Sequence, residues 1–124
     1  MSDEKPTDPE AALARLLDIM ARLRDPQSGC PWDVKQTMQS LTRYTIEEAY
    51  EAVDAIERGA PDEIKDELGD LLFQIVFYAQ IGNESQQFDF TDIANAISDK
   101  MVRRHPHVFG ESTTDEAGLA EQWE

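Results

Sequence analysis

The sequence predicts an all-α fold: a bundle of four or five helices built around one antiparallel helical hairpin and completed by dimerisation. Three observations carry that expectation. Apolar residues recur at helical spacing through most of the chain, and no stretch alternates as a strand would. Gly59-Ala60-Pro61 divides the longest periodic stretch, residues 47–80, into two, and glycine ends helices where proline starts them. After Gly69 the second half reads L-L-F-Q-I-V-F-Y-A-Q-I, apolar on nearly every side, and a helix of that kind is buried. At 124 residues the chain is expected to form one domain around one core.

Residues 1–7 are polar and expected to be disordered. Asp8-Pro9-Glu10 then starts a helix, with Asp as N-cap, Pro in the first turn and an acid beside it. Leu13, Leu16, Leu17, Met20 and Leu23 give it a core-facing stripe, and it ends near Arg24 before Asp25-Pro26 and Ser28-Gly29. Residues 25–36 read as a loop in which Trp32, on the simplest reading, covers the core. The second helix begins between Thr37 and Thr45, and Thr45-x-x-Glu48 fits a capping box, a purely local role for Glu48. Its apolar face is Ile46, Ala49, Tyr50, Val53 and Ile56, opposite Glu47, Glu48, Glu51 and Asp54.

In the third helix Gly69 costs about 1 kcal/mol against Ala, which suggests close approach of another backbone or a ligand between Glu67 and Asp70. Residues 82–87 read as a polar loop, and Asp89 as the N-cap of a last long helix. Phe90, Ile93, Ala94, Ile97 and Met101 mark that helix's buried face, and it stops before Pro106. Lys100, Arg103 and Arg104 lie in its last turns, an ordinary complement to the helix dipole. His105 and His107, without a Cys partner, make a poor zinc site and read as loop structure.

The acids on the hairpin suggest chemistry. Glu48 and Glu51 share a face of one helix, and Glu67 and Asp70 share a face of the next. Glu51 precedes Ala60 by 9 residues and Asp70 follows it by 10, so at about 1.5 Å of rise per residue the pairs stand at similar heights. Four carboxylates would then share one small volume. Glu67 and Asp70 also open a stripe of Leu71, Gln74, Phe77, Tyr78 and Ile81, where a bare carboxylate costs several kcal/mol unless paired or metal-bound. Mg²⁺, with Mn²⁺ as a substitute, takes such oxygen ligands. The acidic face of the second helix, taken alone, reads as merely solvated. It joins the site only if another helix or a second subunit covers it.

With 26 acidic and 11 basic residues the net charge is −15, which repels nucleic acid and anionic membranes. A free nucleotide would be repelled as well, so divalent ions would have to mediate its approach. The lone Cys30 offers no disulfide framework and suits a reducing cytoplasm. The polar, acidic N-terminus is unlike a signal peptide, and no apolar run approaches the ~20 residues of a membrane span.

E-E-x-x-E at 47–51 followed by E-x-x-D at 67–70 resembles the MazG-type, all-α nucleotide pyrophosphohydrolases. The likeness extends to G-C-P-W-D at 29–33, Y-T-I-E-E-A-Y-E at 44–51, D-E-L-G-D-L-L-F-Q at 66–74 and R-R-H-P-H-V-F-G at 103–110. It covers the chain from about Leu13 onward. The resemblance implies Mg²⁺-dependent hydrolysis of nucleoside triphosphates to the monophosphate and pyrophosphate, in nucleotide-pool house-cleaning. It implies Glu48, Glu51, Glu67 and Asp70 as metal ligands and Glu47 and Glu48 as catalytic acids, Glu47 as ligand or general base. Trp32 would stack on or beneath the base, and Asp33 or Gln36 would supply a polar contact. Lys100, Arg103 and Arg104 would lie near the phosphates, with Asn95 and Asp99 in the metal's outer shell. Arg43 departs from the family, where a proline is common. The polar tail, 111–124, stops where the family begins a further helix, as a truncated chain or a single-domain relative would; longer MazG proteins carry two such domains. A narrower enzyme acting on dUTP, dCTP or phosphoribosyl-ATP is the nearest rival reading. A non-catalytic acidic helical module that binds a basic partner is a rival of another class. The helical E-x-x-H pairs of di-iron bundles are absent.

Overall fold

The computed structural model describes residues 5–110. The C-terminal tail and the first four residues of the expected disordered N-terminus lie outside them. The described residues form α1 (Pro9–Leu23), α2 (Pro31–Lys35), α3 (Met38–Arg58), α4 (Pro61–Glu84), α5 (Phe90–Arg104) and α6 (Pro106–Phe109), with no strand among them. No helix among the described residues is long and apolar enough to cross a membrane.

Local chemistry sets most helix ends. The Asp8 carboxylate accepts the Ala11 N–H at 2.8 Å at the start of α1. Asp89 and Asp92 cap α5 reciprocally. Gly59, at φ 74°, ends α3 in the left-handed conformation that a residue without Cβ adopts freely, and Pro61 opens α4. The N-terminus of α3 corrects the expectation at Thr45. Thr37 is the N-cap: its hydroxyl accepts the Ser40 N–H at 3.1 Å while the Ser40 hydroxyl accepts the Thr37 N–H at 2.9 Å. The helix therefore starts two turns before Thr45.

Helix α4 is the centre, with α1, α3 and α5 all packed on it. Met20, Leu41, Val76 and Phe77 form the fully buried core. The face that α3 turns to α4 differs from the expected one. Leu41, Ala52 and Ala55 are buried, whereas Ile46 and Tyr50 are 69 % and 78 % exposed and Val53 and Ile56 are also exposed. Small alanines let the two helices approach closely, and the larger apolar side chains are left outside. On α4, Leu68, Leu72 and Ile75 are exposed too, and on α5 so is Ile97, which the sequence places inside.

Two further corrections concern α4. The helix runs to Glu84, through the start of the expected loop. Gly82 is the glycine that needs its missing side chain, because a Cβ there would meet the Phe88 ring at 2.6 Å. A Cβ on Gly69 would meet nothing within 4 Å, so no close approach within the chain explains it.

Residues 31–35, expected as loop, form α2 with Pro31 in its first turn. One arginine holds it. Arg24 Nη1 donates to the carbonyls of Asp33, Val34 and Gln36 at 2.8, 3.1 and 2.9 Å. Its Nε and Nη2 reach the Glu84 carboxylate at 3.1 and 2.5 Å, and the guanidinium lies 5.7 Å from the Phe77 ring centre. Burial alone would raise the Glu84 carboxyl, but hydrogen bonds from Arg24 and Gln80 outweigh it and hold the group below its ordinary value. Likewise α6 replaces expected loop around His107, and the His105 ring lies 2.6 Å from the Met101 carbonyl. Arg24→Met leaves the α2 carbonyls without their donor, so it should destabilise the protein by about 3 kcal/mol in urea unfolding. Glu84→Gln, at a more exposed partner, should cost only about 1 kcal/mol.

Candidate functional site

The α3–α4 seam carries a polar tie between its two apolar stretches. The Thr45 hydroxyl lies 3.0 Å from Gln74 Oε1 and 2.5 Å from the Tyr78 hydroxyl, and 3.2 Å from the Leu41 carbonyl of its own helix. Gln74 is only 8 % exposed, so its amide depends on such partners. Toward the hairpin turn, Glu48 follows Thr45 on α3 and Asp70 precedes Gln74 on α4. Each of Glu48, Glu67 and Asp70 offers a carboxylate oxygen, and the three oxygens lie within 4.8 Å of one another. The antiparallel packing thus brings acids from both helices together. Glu48 is half-buried rather than on a solvated face. Glu51, exposed, is outside that close set but acts on two of its members.

The electrostatics follow from this crowding. Burial raises the Glu48 carboxyl above its ordinary range, and the charges of Asp70, Glu67, Glu51 and Glu47 raise it further. Glu67 is raised by burial, then by Asp70, Glu51 and Asp66, with only Arg58 opposing. Arg58 is itself engaged by Asp54 at 3.0 Å and by Glu63. Like charges with no cation among them can be relieved by protons or by a bound cation. The donors are all carboxylate oxygens, the set that hard divalent ions take. Two oxygens about 2.1 Å from one octahedral Mg²⁺ lie roughly 3–4 Å apart, and the three carboxylate oxygens here lie within 4.8 Å of one another. The residues therefore fit Mg²⁺, and Mn²⁺ by the same donor chemistry.

A cleft of about 480 Å³ opens beside the N-terminal turns of α3, lined by Trp32, Gln36, Gln39, Ser40, Thr42, Arg43 and Tyr44. Trp32 is 49 % exposed and meets Tyr44 edge-on, ring centres 5.7 Å apart. The Gln36 amide is committed to protein partners: its Nε2 donates to the Trp32 carbonyl at 2.9 Å and its Oε1 lies 2.7 Å from the Ser40 hydroxyl. Asp33 is buried within α2. Glu47 is exposed, one turn from Arg43, and its charge reaches that guanidinium. On α5, Asn95, Asp99, Lys100 and Arg103 are exposed and Arg104 is half-buried. None of these five is among the groups that shift Glu48 or Glu67. Thr45 looks in the sequence like a cap, Tyr78 like part of an apolar stripe and Arg43 like a departure from the family, so none of the three stands out as part of a site. A buried Gln74 in an apolar stripe is the one local hint that a polar partner must exist across the seam.

The chain matches the family of the MazG nucleotide pyrophosphohydrolase domain over residues 36–109. It is 56 % identical over 111 residues to a nucleoside triphosphate pyrophosphohydrolase of Escherichia coli, covering 89 % of this chain and 42 % of that protein. It is 50 % identical over 97 residues to a nucleoside triphosphate pyrophosphohydrolase/pyrophosphatase of Thermotoga maritima, covering 78 % of this chain and 38 % of the other. The chain thus spans about two fifths of the length of these relatives. A crystal structure of a mazG-related protein from Thermotoga maritima has the same fold, with a TM-score of 0.71 at 24 % identity over 89 % of this chain and 94 % of that one.

The acid cluster makes a prediction about pH. Glu48 and Glu67 hold protons more tightly in the folded chain than in the unfolded one. Their contribution to stability is therefore full below the ordinary value of 4.5 and is lost as pH rises through the raised values. In EDTA, Glu67→Gln should melt at a higher temperature than the wild type at pH 7, and the difference should shrink toward pH 4.5. A difference independent of pH across that window would show that the carboxylates do not feel one another.

Proposed function

The chain belongs to the MazG nucleotide pyrophosphohydrolase family, and on that premise we infer that it is a hydrolase that converts nucleoside triphosphates to monophosphates and pyrophosphate with Mg²⁺. The observation that carries this reading is the convergence of Glu48, Glu67 and Asp70 from two helices, next to an aromatic cleft on one of them. The role proposed is house-cleaning of the nucleotide pool in the cytoplasm.

Glu48, Glu51, Glu67 and Asp70 would hold the ion. When bound, Mg²⁺ supplies charge neutralisation at the α-phosphate and makes an attacking water more acidic. Glu47 is the proposed proton acceptor. It is solvent-exposed, next in sequence to Glu48 and one turn from Glu51. Trp32 offers the base a face on which to stack. Lys100, Arg103 and Arg104 would take the leaving pyrophosphate, with Asn95 and Asp99 ordering the water around the ion. From Tyr44, on the cleft wall, to Glu48 is about one helical turn, roughly 6 Å. A base held in the cleft would leave its α-phosphate, rather than its γ-phosphate, over the acids. Attack at the α-phosphorus follows from that spacing.

A second subunit is part of the proposal. Ile46, Tyr50 and Val53 on α3 and Leu68, Leu72 and Ile75 on α4 are each exposed on the hairpin. Contiguous apolar patches beyond a few hundred Å² are unusual on monomers, and a homodimer would cover them.

Two measurements test this reading. Hydrolysis in ¹⁸O-labelled water with Mg²⁺ should place the label in the nucleoside monophosphate, and EDTA or Asp70→Asn should abolish turnover. Label in orthophosphate, with diphosphate released, would mean that the γ-phosphorus is attacked and the arrangement is wrong. For the dimer, light scattering should give about twice the chain mass of 14.1 kDa at micromolar concentration; a value of 14.1 kDa would remove the second subunit from the proposal.

A further inference from the structure

We propose that Arg43 reads the base in the Trp32–Tyr44 cleft and selects 6-oxopurines, guanine and hypoxanthine, over adenine. The proposal deepens the nucleotide reading above and rests on it.

Besides Arg43, the cleft's polar side chains include Gln36, Gln39, Ser40 and Thr42, and three of these four are engaged within the chain. Gln36 and Ser40 are tied to each other, to the Trp32 carbonyl and to Thr37. The Thr42 hydroxyl donates back to the Gln39 carbonyl at 3.1 Å. Arg43 is different. Its Nη2 donates to the Tyr44 hydroxyl at 2.7 Å, and its guanidinium carbon lies 4.7 Å from the centre of that ring. These two contacts hold the guanidinium against Tyr44. A guanidinium carries five N–H donors and no acceptor, so after the Tyr44 bond four remain on a residue that lines the cleft.

Trp32 supplies a half-exposed aromatic surface, and Arg43 supplies oriented donors only. A base stacked there is favoured if the edge it turns to Arg43 bears acceptors. Guanine and hypoxanthine present O6 and N7 side by side, the pair that a guanidinium meets with two parallel bonds; adenine presents N7 beside a donor amino group. Adenine would set one N–H against its amino group and keep a single bond to N7; Arg43 is exposed, so the displaced donor turns to water, and the preference is that of two bonds over one.

The test is calorimetric titration of the full chain with GMP, IMP and AMP. The wild type should bind GMP and IMP about tenfold more tightly than AMP, the low end of what one bidentate pair supplies. Arg43→Met should weaken GMP and IMP alone and bring the ratio close to one. Arg43→Lys, which has charge but no fork, should recover little of it. Equal affinities in the wild type, a preference that survives Arg43→Met, equal weakening of all three nucleotides, or binding of none of them would each overturn the assignment. Binding is read without turnover, so the two readings fail separately. A chain that prefers GMP yet hydrolyses no triphosphate defeats the hydrolase reading and leaves Arg43 in place. A chain that hydrolyses triphosphates without that preference defeats the role of Arg43 alone.

Discussion

Carboxylates on two neighbouring helices push those helices apart, and the rest of this structure answers that push. Glu48, Glu67 and Asp70 can share a volume only because α3 and α4 are held together on either side of them. Toward the turn the hold is close packing of Ala52 and Ala55. Away from it the Thr45–Gln74–Tyr78 hydrogen bonds come first, and then the core of Leu41, Val76 and Phe77. The apolar contacts are non-directional and would tolerate sliding. The hydrogen bonds would not, because a shift of one residue on either helix leaves a buried amide unpaired, at about 1–3 kcal/mol. Register, and with it the height at which the acids meet, therefore rests on polar contacts inside an apolar seam.

The other wall of the candidate site depends on a different kind of interaction. Helix α2 has five residues and no side-chain cap, too short to hold itself. Arg24 supplies what it lacks by donating to three carbonyls at its C-terminal end from a nearly enclosed position at the C-cap of α1. Trp32 is thereby placed against Tyr44, and the cleft gains an aromatic side. The anchor also reaches Glu84 at the far end of α4, so this wall and the acid-bearing hairpin share a single reference point.

What was legible in the sequence was what neighbouring residues determine. Asp8, Asp89, Gly59 and Pro61 act within a few positions of themselves, and the structure uses them as their chemistry suggests. The convergence of Glu48, Glu67 and Asp70 was legible for the same reason, since helical spacing and a short turn suffice to bring them level, whereas Glu51, expected with them, lies outside the close set. Reading failed where a partner lay far along the chain. Thr45-x-x-Glu48 looks like a cap because a partner 29 residues on, Gln74, cannot be seen from Thr45. Residues 31–35 look like loop because their stabilising donor is on another helix. Gly69 and Gly82 look alike in a helical stretch, and only the position of the Phe88 ring separates them. The large apolar residues of α3 pointed to the wrong face, because hydrophobicity ranks Tyr50 and Ile46 above Ala52 whereas close helix approach favours alanine.

The separation in sequence of these contacts has a kinetic meaning. Helices α3 and α4 are joined through Gly59 and Ala60 alone, so closing that hairpin fixes little chain and its loss of entropy is small. The bonds from Arg24 to Glu84 join residues 60 apart and require the whole of the intervening chain to be in place. On loop-closure grounds the hairpin is the part that can assemble first, while contacts of longer range come later. The acids would then meet while the segment carrying Trp32 is still undocked. Their mutual repulsion would be met early in folding, by the seam alone, and the aromatic wall would dock against Tyr44 with the cluster already formed.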